Sequence, residues 1–183
     1  MRSRWLTPLL FVLALLQGCA QPHGINDPQI ERRSEAAVQD DRNIEYNARQ
    51  QIAARYRSNI QVNVTCFNRF ALITGQVPDD ATKQGVERIV GGISPIKGIA
   101  NELHVGGLND TGLRRSDSGI SGDVRTRFLE DQSFNRDNIK VYTEEGVVYL
   151  MGIVTRAEAD AASEIAATTR GVKKVVRVFE YMK

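Results

Sequence analysis

The sequence has few of the side chains that most often carry catalysis or bind metals. Its 183 residues include two cysteines, two histidines and one tryptophan. Neither histidine has neighbours at the spacing of metal ligands, and the chain shows no Ser-His-Asp set, glycine-rich phosphate loop or Cys/His cluster. The residues therefore favour no enzymatic activity, and they predict no catalytic residue, no cofactor and no metal site.

Charge of one sign is not in excess either. The chain carries 24 basic and 22 acidic residues, and two of the basic ones, Arg2 and Arg4, lie at its start. Proteins that hold nucleic acid through its phosphates need a broad basic surface. The composition therefore predicts no nucleic-acid partner.

Long apolar runs are also scarce. The one that stands out, from Trp5 to Leu16, is twelve residues long and contains Pro8. A membrane-spanning helix needs roughly 20 apolar residues. A short apolar run that follows basic residues and ends at small ones is typical of a secretory signal peptide, which we place at residues 1–18.

The segment LQGC at 16–19 closes this run and resembles the lipobox of bacterial lipoproteins. In those proteins the cysteine is alkylated with diacylglycerol, the signal is cut before it and the new amino terminus is acylated. The resemblance implies that Cys19 is lipidated, and two or more acyl chains give a stable anchor. The next residues, Ala20 and Gln21, include no aspartate of the kind that retains lipoproteins at the inner membrane of enteric bacteria. The implied location is the outer membrane, facing the periplasm; the alternative is an unmodified signal peptide.

The second cysteine, Cys66, has no partner in the chain if Cys19 carries lipid. It continues the even-numbered apolar series Ile60, Val62 and Val64. This pattern favours a small buried side chain, and a reactive thiol is the alternative.

Four successive segments of the chain occur twice. An alternating strand-like segment is followed by a second one that ends in Gly-x-Val, then by a helical stretch and by a final alternating segment. The offset between the copies is 79 residues for the first pair of segments, 77 for the second and 76 for the third and fourth. The paired segments are 60–64 and 139–143, 71–77 and 148–154, 86–93 and 162–169, and 96–105 and 172–181.

A helix is predicted before each copy, because apolar residues recur every four positions in 44–56 and 120–128. Each copy is then αββαβ. A strand–helix–strand crossover normally joins parallel strands, so the predicted fold class is α+β, with two modules that each have a small mixed three-stranded sheet and two helices on one face.

This module, with its central Gly-x-Val and its closing alternation of apolar residues, resembles the BON domain of bacterial envelope proteins. The resemblance is strongest in the stretches 138–155 and 171–175. It implies an outer-membrane lipoprotein with two BON domains. We expect a lipidated N-terminus and flexible tether at 19–40, domain one at 41–106, a linker at 107–117 and domain two at 118–183.

The resemblance also implies a function and a site. The second domain is expected to bind anionic phospholipid through its first helix and the adjoining loops, and the protein to support envelope integrity and outer-membrane protein assembly. Assembly or division-site proteins are the implied protein partners. Carried onto this sequence, the phospholipid-binding residues are Ile120, Arg125, Arg127 and Phe134. Arginines bind phosphate oxygens, apolar residues enter the acyl boundary, and Phe134 has no evident core partner in its polar loop.

The site and the function each have an alternative. The spacing of Ile120, Val124 and Phe128 is also that of a helix stripe that faces a core. The protein could also be a periplasmic protein-binding scaffold whose only lipid contact is its acyl anchor. The sheet faces away from the helices carry apolar residues such as Leu72 and Met151. These faces either form an interaction surface or, as we favour, cover each other.

Overall fold

The computed structural model describes residues 31–56, 60–106 and 111–182. They form two successive αββαβ units, which confirms the predicted fold class. The elements of the first unit are α1 (Glu35–Tyr56), β1 (Gln61–Phe67), β2 (Phe70–Val77), α2 (Asp80–Gly91), β3 (Gly98–Asn101) and β4 (His104–Val105). Those of the second are α3 (Thr111–Glu130), a short 3₁₀ helix (Arg136–Asn138), β5 (Ile139–Glu144), β6 (Val147–Val154), α4 (Arg156–Ala167) and β7 (Lys174–Tyr181).

The two sheets share one topology. In each, the first two strands form an antiparallel hairpin and the strand after the crossover helix pairs in parallel with the central strand. The first sheet has the order β1-β2-β3, with β4 also paired to β2, and the second has the order β5-β6-β7. The last strand of the first module is divided in two. The backbone N–H of Glu102 still donates to Ile73 of β2 at 2.9 Å, and the chain then turns Leu103 into the core before pairing again at His104.

Each module buries one sheet face beneath its two helices. The predicted helix stripes lie in these cores, and Ile44, Ala48 and Val124 are inaccessible to solvent. Cys66 is buried with them, as its place in the apolar series predicts. Burial, together with the nearby carboxylates of Glu45 and Asp41, raises the pKa of its thiol to about 12.

The repeated Gly-x-Val has a steric cause. A Cβ atom at Gly75 would collide with the carbonyl oxygen of Gln61, and one at Gly152 would collide with that of Asn138. In both modules the central strand therefore passes the start of its hairpin partner too closely for a side chain.

The two sheets pack against each other through the faces that their helices leave uncovered. Phe67 and Leu72 of the first module and Tyr149 and Met151 of the second form a third apolar core. This confirms the alternative in which the modules cover each other. At one end of the interface, Asn68 Nδ2 donates to Glu180 Oε2 at 2.7 Å.

Ordered structure begins within the segment expected as a tether over 19–40. α1 begins at Glu35, and Arg32 and Arg33 ahead of it pack on the fold. α3 begins at Thr111, so the described part of the linker expected over 107–117 is helical. Within the described ranges, none of the helices has the length and apolar content needed to cross a bilayer.

Candidate functional site

The helix expected to contact lipid, α3, is held on its module by an apolar stripe. Ile120, Val124 and Phe128 are all buried in the second core. Ile120 is only 7% exposed, and its Cδ1 lies near Gly171, after the end of α4. Of the two readings of this stripe, the structure supports the core.

Phe134 has a core partner. Its ring meets that of Phe128 edge to face, with the ring centroids 5.1 Å apart, and the residue is 3% exposed. The expectation that it lacks such a partner is wrong. Backbone–side-chain bonds tighten the loop, with Ser133 N donating to Asp131 Oδ1 and Asp137 N to Asn135 Oδ1. The tightened loop folds Phe134 back under the end of α3.

Arg125 and Arg127 lie on opposite flanks of α3, because two residues correspond to about 200° of helix rotation. Arg125 donates to the carbonyl oxygen of Val141 on β5 at 2.6 Å. Arg127 donates to the carbonyl oxygen of Ile165 at 2.6 Å and to the hydroxyl of Thr169 at 2.8 Å, at the end of α4. The hydroxyl of Thr169 also donates to the Ile165 carbonyl, at 2.8 Å, so Arg127 joins a hydrogen-bonded cluster at the end of α4. The two arginines do not form one patch.

A groove of about 530 Å³ runs between α1 and α3 and brings Arg125 together with residues that the sequence analysis did not single out. Its basic side chains outnumber its acidic ones by five to three. The basic residues are Arg33, Arg42, Arg125, Arg136 and Lys140, and the acidic ones are Asp41, Glu45 and Asp137. We call this site the α1–α3 groove.

Leu129 gives the α1–α3 groove an apolar rim. This side chain is 54% exposed, although it lies one turn along α3 from Arg125 and beside the buried Phe128. A single exposed leucine is common on protein surfaces; what distinguishes Leu129 is that it borders a groove with an excess of basic side chains. A basic groove with an apolar rim can take an anionic group and an apolar chain together.

The segment just before α1 fastens the two modules to each other. Arg32 forms a two-pronged ion pair with Glu158 of α4, with N–O distances of 2.7 and 2.8 Å, and its backbone N–H donates to Asn138. The guanidinium of Arg33 lies 4.0 Å from the ring centre of Phe67 and pairs with Asp41. We call residues 31–34 the strap.

The Arg32–Glu158 pair is almost fully enclosed, with 4% and 8% of the two side chains exposed. Burial raises the pKa of the Glu158 carboxyl, but hydrogen bonds from Arg32 and Thr155 and the charge of Arg32 outweigh it. The net pKa is therefore lowered from its ordinary value. Because Glu158 also completes the capping box of α4 with Thr155, this carboxylate joins the strap to the start of a helix.

A repeated aspartate holds the tight turn of each hairpin. Asp41 of α1 accepts from the backbone N–H groups of Asn68 and Arg69, at 2.9 and 2.6 Å. Asp117 of α3 accepts in the same way from the two residues of the second turn, at 2.7 and 2.8 Å. Sequence reasoning missed both; the signal was that each aspartate stands three residues before the first apolar residue of its helix stripe.

Cys19 lies outside the described residues, and its lipidation stays a prediction. The described residues include no group of three or more His, Cys, Asp or Glu side chains placed to hold a metal ion.

The fold and its repeat define a chain built from two copies of one αββαβ module. The BON domain family model matches residues 26–107 and 116–183, and the chain belongs to this family. It is 31% identical to the outer membrane lipoprotein DolP of Haemophilus influenzae over 86% of this chain and 76% of that one. It is 29% identical to the 21 kDa hemolysin of Actinobacillus pleuropneumoniae, over 88% and 84%, and 25% identical to the osmotically-inducible protein Y of Escherichia coli, over 62% and 58%.

Proposed function

We propose that this protein is an outer-membrane lipoprotein, anchored through an acylated Cys19 and facing the periplasm, that binds anionic phospholipid with its second BON domain. It acts as a binding protein, without catalysis, in envelope integrity and outer-membrane protein assembly. Its similarity to an outer membrane lipoprotein supports the location. The observation that carries the lipid-binding part is the exposed Leu129 on the rim of a groove with an excess of basic side chains.

The proposed membrane contact differs from the four residues that the family resemblance implies. Ile120 and Phe134 are buried, and Arg127 lies on the opposite flank of α3, outside the groove. Among these four, Arg125 alone lines the α1–α3 groove. We therefore place the proposed membrane contact at Arg125, Leu129 and Arg136.

The strap supports this orientation. Twelve residues, 20–31, separate Cys19 from Arg32, which is fixed against the second module. Such a chain reaches at most about 45 Å. Arg33, next to this fixed point, also lines the α1–α3 groove. A lipid anchor at Cys19 would hold the groove near the membrane, so weak lipid affinity suffices because of the high effective concentration.

Vesicle flotation tests the lipid contact with a chain that starts at residue 20 and has no acyl anchor. The residues of all three cores lie within the described part of the chain, so this form keeps the elements that hold the fold. It should float with vesicles of phosphatidylethanolamine and phosphatidylglycerol but not with phosphatidylcholine alone. No binding to anionic vesicles would reject the site and favour the protein-binding scaffold.

Charge and apolar contact can be separated. Arg125→Gln with Arg136→Gln should weaken binding by about 2 kcal/mol at low salt, or about thirtyfold, since each basic residue near an anionic surface contributes about 1 kcal/mol. Arg88→Gln with Arg170→Gln, both exposed and outside the groove, is the matched control.

Leu129→Ser should weaken binding equally at low and high salt, because ionic screening leaves apolar insertion intact. Tyr46→Ser, which removes an exposed ring on α1, should change nothing.

The anchor is tested separately by mass spectrometry of the processed chain. We expect an amino-terminal Cys19 that carries diacylglycerol and an amide-linked acyl chain. Cys19→Ser should leave an unprocessed, unlipidated precursor. A membrane-anchored mature form of this variant would reject the lipobox interpretation.

A further inference from the structure

The two modules differ at the free edge of their sheets. β7 pairs with β6 over eight residues, and its other side pairs with no strand in the described part of the chain. The corresponding edge of the first module is divided into β3, of four residues, and β4, of two. At the break, the side chain of Asn101 accepts from Leu103 N and donates to Glu87. The first edge is therefore interrupted, whereas the second is continuous.

A continuous edge strand exposes a row of main-chain N–H and C=O groups that can pair with another chain. Natural proteins commonly protect such edges by shortening or interrupting them, as the first module does between β3 and β4, where Leu103 turns into the core. β7 has no such interruption.

A second groove, of about 510 Å³, runs along this edge. Five consecutive residues of β7, Val176–Glu180, line it, so it follows the edge of the strand rather than one face. Phe70 and Ala100 of the first module line the opposite side. The groove thus combines an open main-chain edge with apolar side chains. We call it the β7 groove.

The charges of the β7 groove indicate what fits it. Lys97 and Arg177 balance Glu102 and Glu180, so the lining has no net charge. Glu180 is bonded to Asn68, and Arg177 donates to Asp160 of α4 at 2.7 Å. An anionic headgroup would meet two carboxylates here, whereas an uncharged extended segment would meet no unbalanced charge.

We propose that the β7 groove binds an extended segment of another polypeptide as an added strand. The segment is uncharged and has apolar side chains at alternate positions. Its main chain pairs with the edge of β7, and every second side chain enters the groove beside Phe70, Ala100 and Val178. This site is separate from the α1–α3 groove, and its test does not depend on lipid binding.

The probe is a fluorescently labelled nonapeptide of alternating threonine and valine, blocked at both ends, and the protein is the chain from residue 20 onward. Fluorescence anisotropy should show saturable binding. The same peptide N-methylated at every residue keeps its side chains but loses its main-chain donors, and it should bind at least tenfold more weakly. Equal binding of the two peptides, or no saturable binding of the first, would overturn the proposal.

Hydrogen exchange locates the contact without any substitution. The unmethylated peptide should slow amide exchange in β7 at least tenfold and leave the opposite edge strand β5 unchanged. Protection confined to other elements would overturn the assignment. So would a dimer, seen by sedimentation, in which β7 is already protected without peptide, because a second copy would then occupy the edge.

A matched pair of substitutions completes the test. Val178→Lys places a charge in the β7 groove and should weaken peptide binding at least tenfold. Val105→Lys, on the exposed strand β4 outside the groove, should leave binding unchanged. Thermal melting checks that both variants fold; if Val178→Lys does not, the exchange pattern of the unaltered chain decides.

Discussion

At the scale of single residues, one carboxylate fixes each hairpin. Asn68 and Arg69 in the first turn, and Glu145 and Gly146 in the second, have positive φ angles. Such a turn suits the twist of a two-residue hairpin but is costly for residues other than glycine, asparagine and aspartate. Asp41 and Asp117 offset this cost, because each accepts both N–H groups of its turn.

Replacing Asp117 by alanine should lower the free energy of unfolding by about 2–3 kcal/mol, because the N–H groups of Glu145 and Gly146 lose their acceptor in a place shielded from water. Asp123→Ala is the matched control, since Asp123 is exposed on the same helix, and it should change stability by less than about 0.5 kcal/mol. Urea denaturation measures both. Equal small losses would show that the turn does not depend on the carboxylate.

The sequence predicts residue burial well where periodicity carries the information. The alternation of β5 and the place of Cys66 are confirmed. It fails for Phe134, whose burial depends on how a loop of polar residues folds back, and for Arg127, whose partners belong to another helix 38 or more residues away. Neither contact can be predicted from the periodicity of apolar residues in the sequence.

At the scale of elements, the repeat predicts the order of helices and strands in both modules. The ends of the elements are less predictable, because they depend on contacts outside the repeat. The strap is one such case. Arg32 forms an ion pair with Glu158 of the other module, 126 residues away in the sequence. The chain is therefore fixed before α1 begins. The division between β3 and β4 is another, since it follows from burial of Leu103.

Replacing Arg32 by alanine should destabilise the protein by about 3 kcal/mol at pH 7, because it leaves the buried Glu158 carboxylate without its partner. The Nε atom of Arg32 is buried without an acceptor among the described residues, which places the loss at the lower end of the range for such pairs. Arg136→Ala removes an exposed pair with Asp137 and should cost less than about 0.5 kcal/mol.

The effect of Arg32→Ala should depend on pH in a defined direction. The folded-state pKa of Glu158 lies below its ordinary value of 4.5, so the contribution of the pair is complete above about pH 4.5 and is lost as pH falls through the folded-state pKa. The difference in unfolding free energy between the variant and the unaltered chain should stay constant from pH 7 to pH 5 and shrink in more acidic solution. A difference that does not change down to pH 3 would show that the ion pair does not carry the effect.

At the scale of the whole molecule, the two modules form one body through the third core. Tyr149 lies in this interface, and its burial, followed by the charges of Glu102, Glu144 and Glu145, raises the pKa of its phenol to about 12. The sequence shows that both sheet faces are apolar and favours mutual cover over an exposed interaction surface, and the third core confirms this. It does not predict the grooves that the packing leaves at the sides, since their shape depends on the angle between the sheets.

Two neighbouring residues of β6 separate the stability of a module from the docking of the two modules. Leu150 faces the core of the second module and Met151 faces the third core, and both are fully buried. Leu150→Asp should unfold the second module, because a buried, unpaired carboxylate costs several kcal/mol. Met151→Asp should instead separate the modules, because the charge reaches water once the sheets part. Scattering should then show a more extended chain, and calorimetry should show two transitions in place of one. Spectra in which Met151→Asp loses the second module as completely as Leu150→Asp would show that neither module is stable without the other.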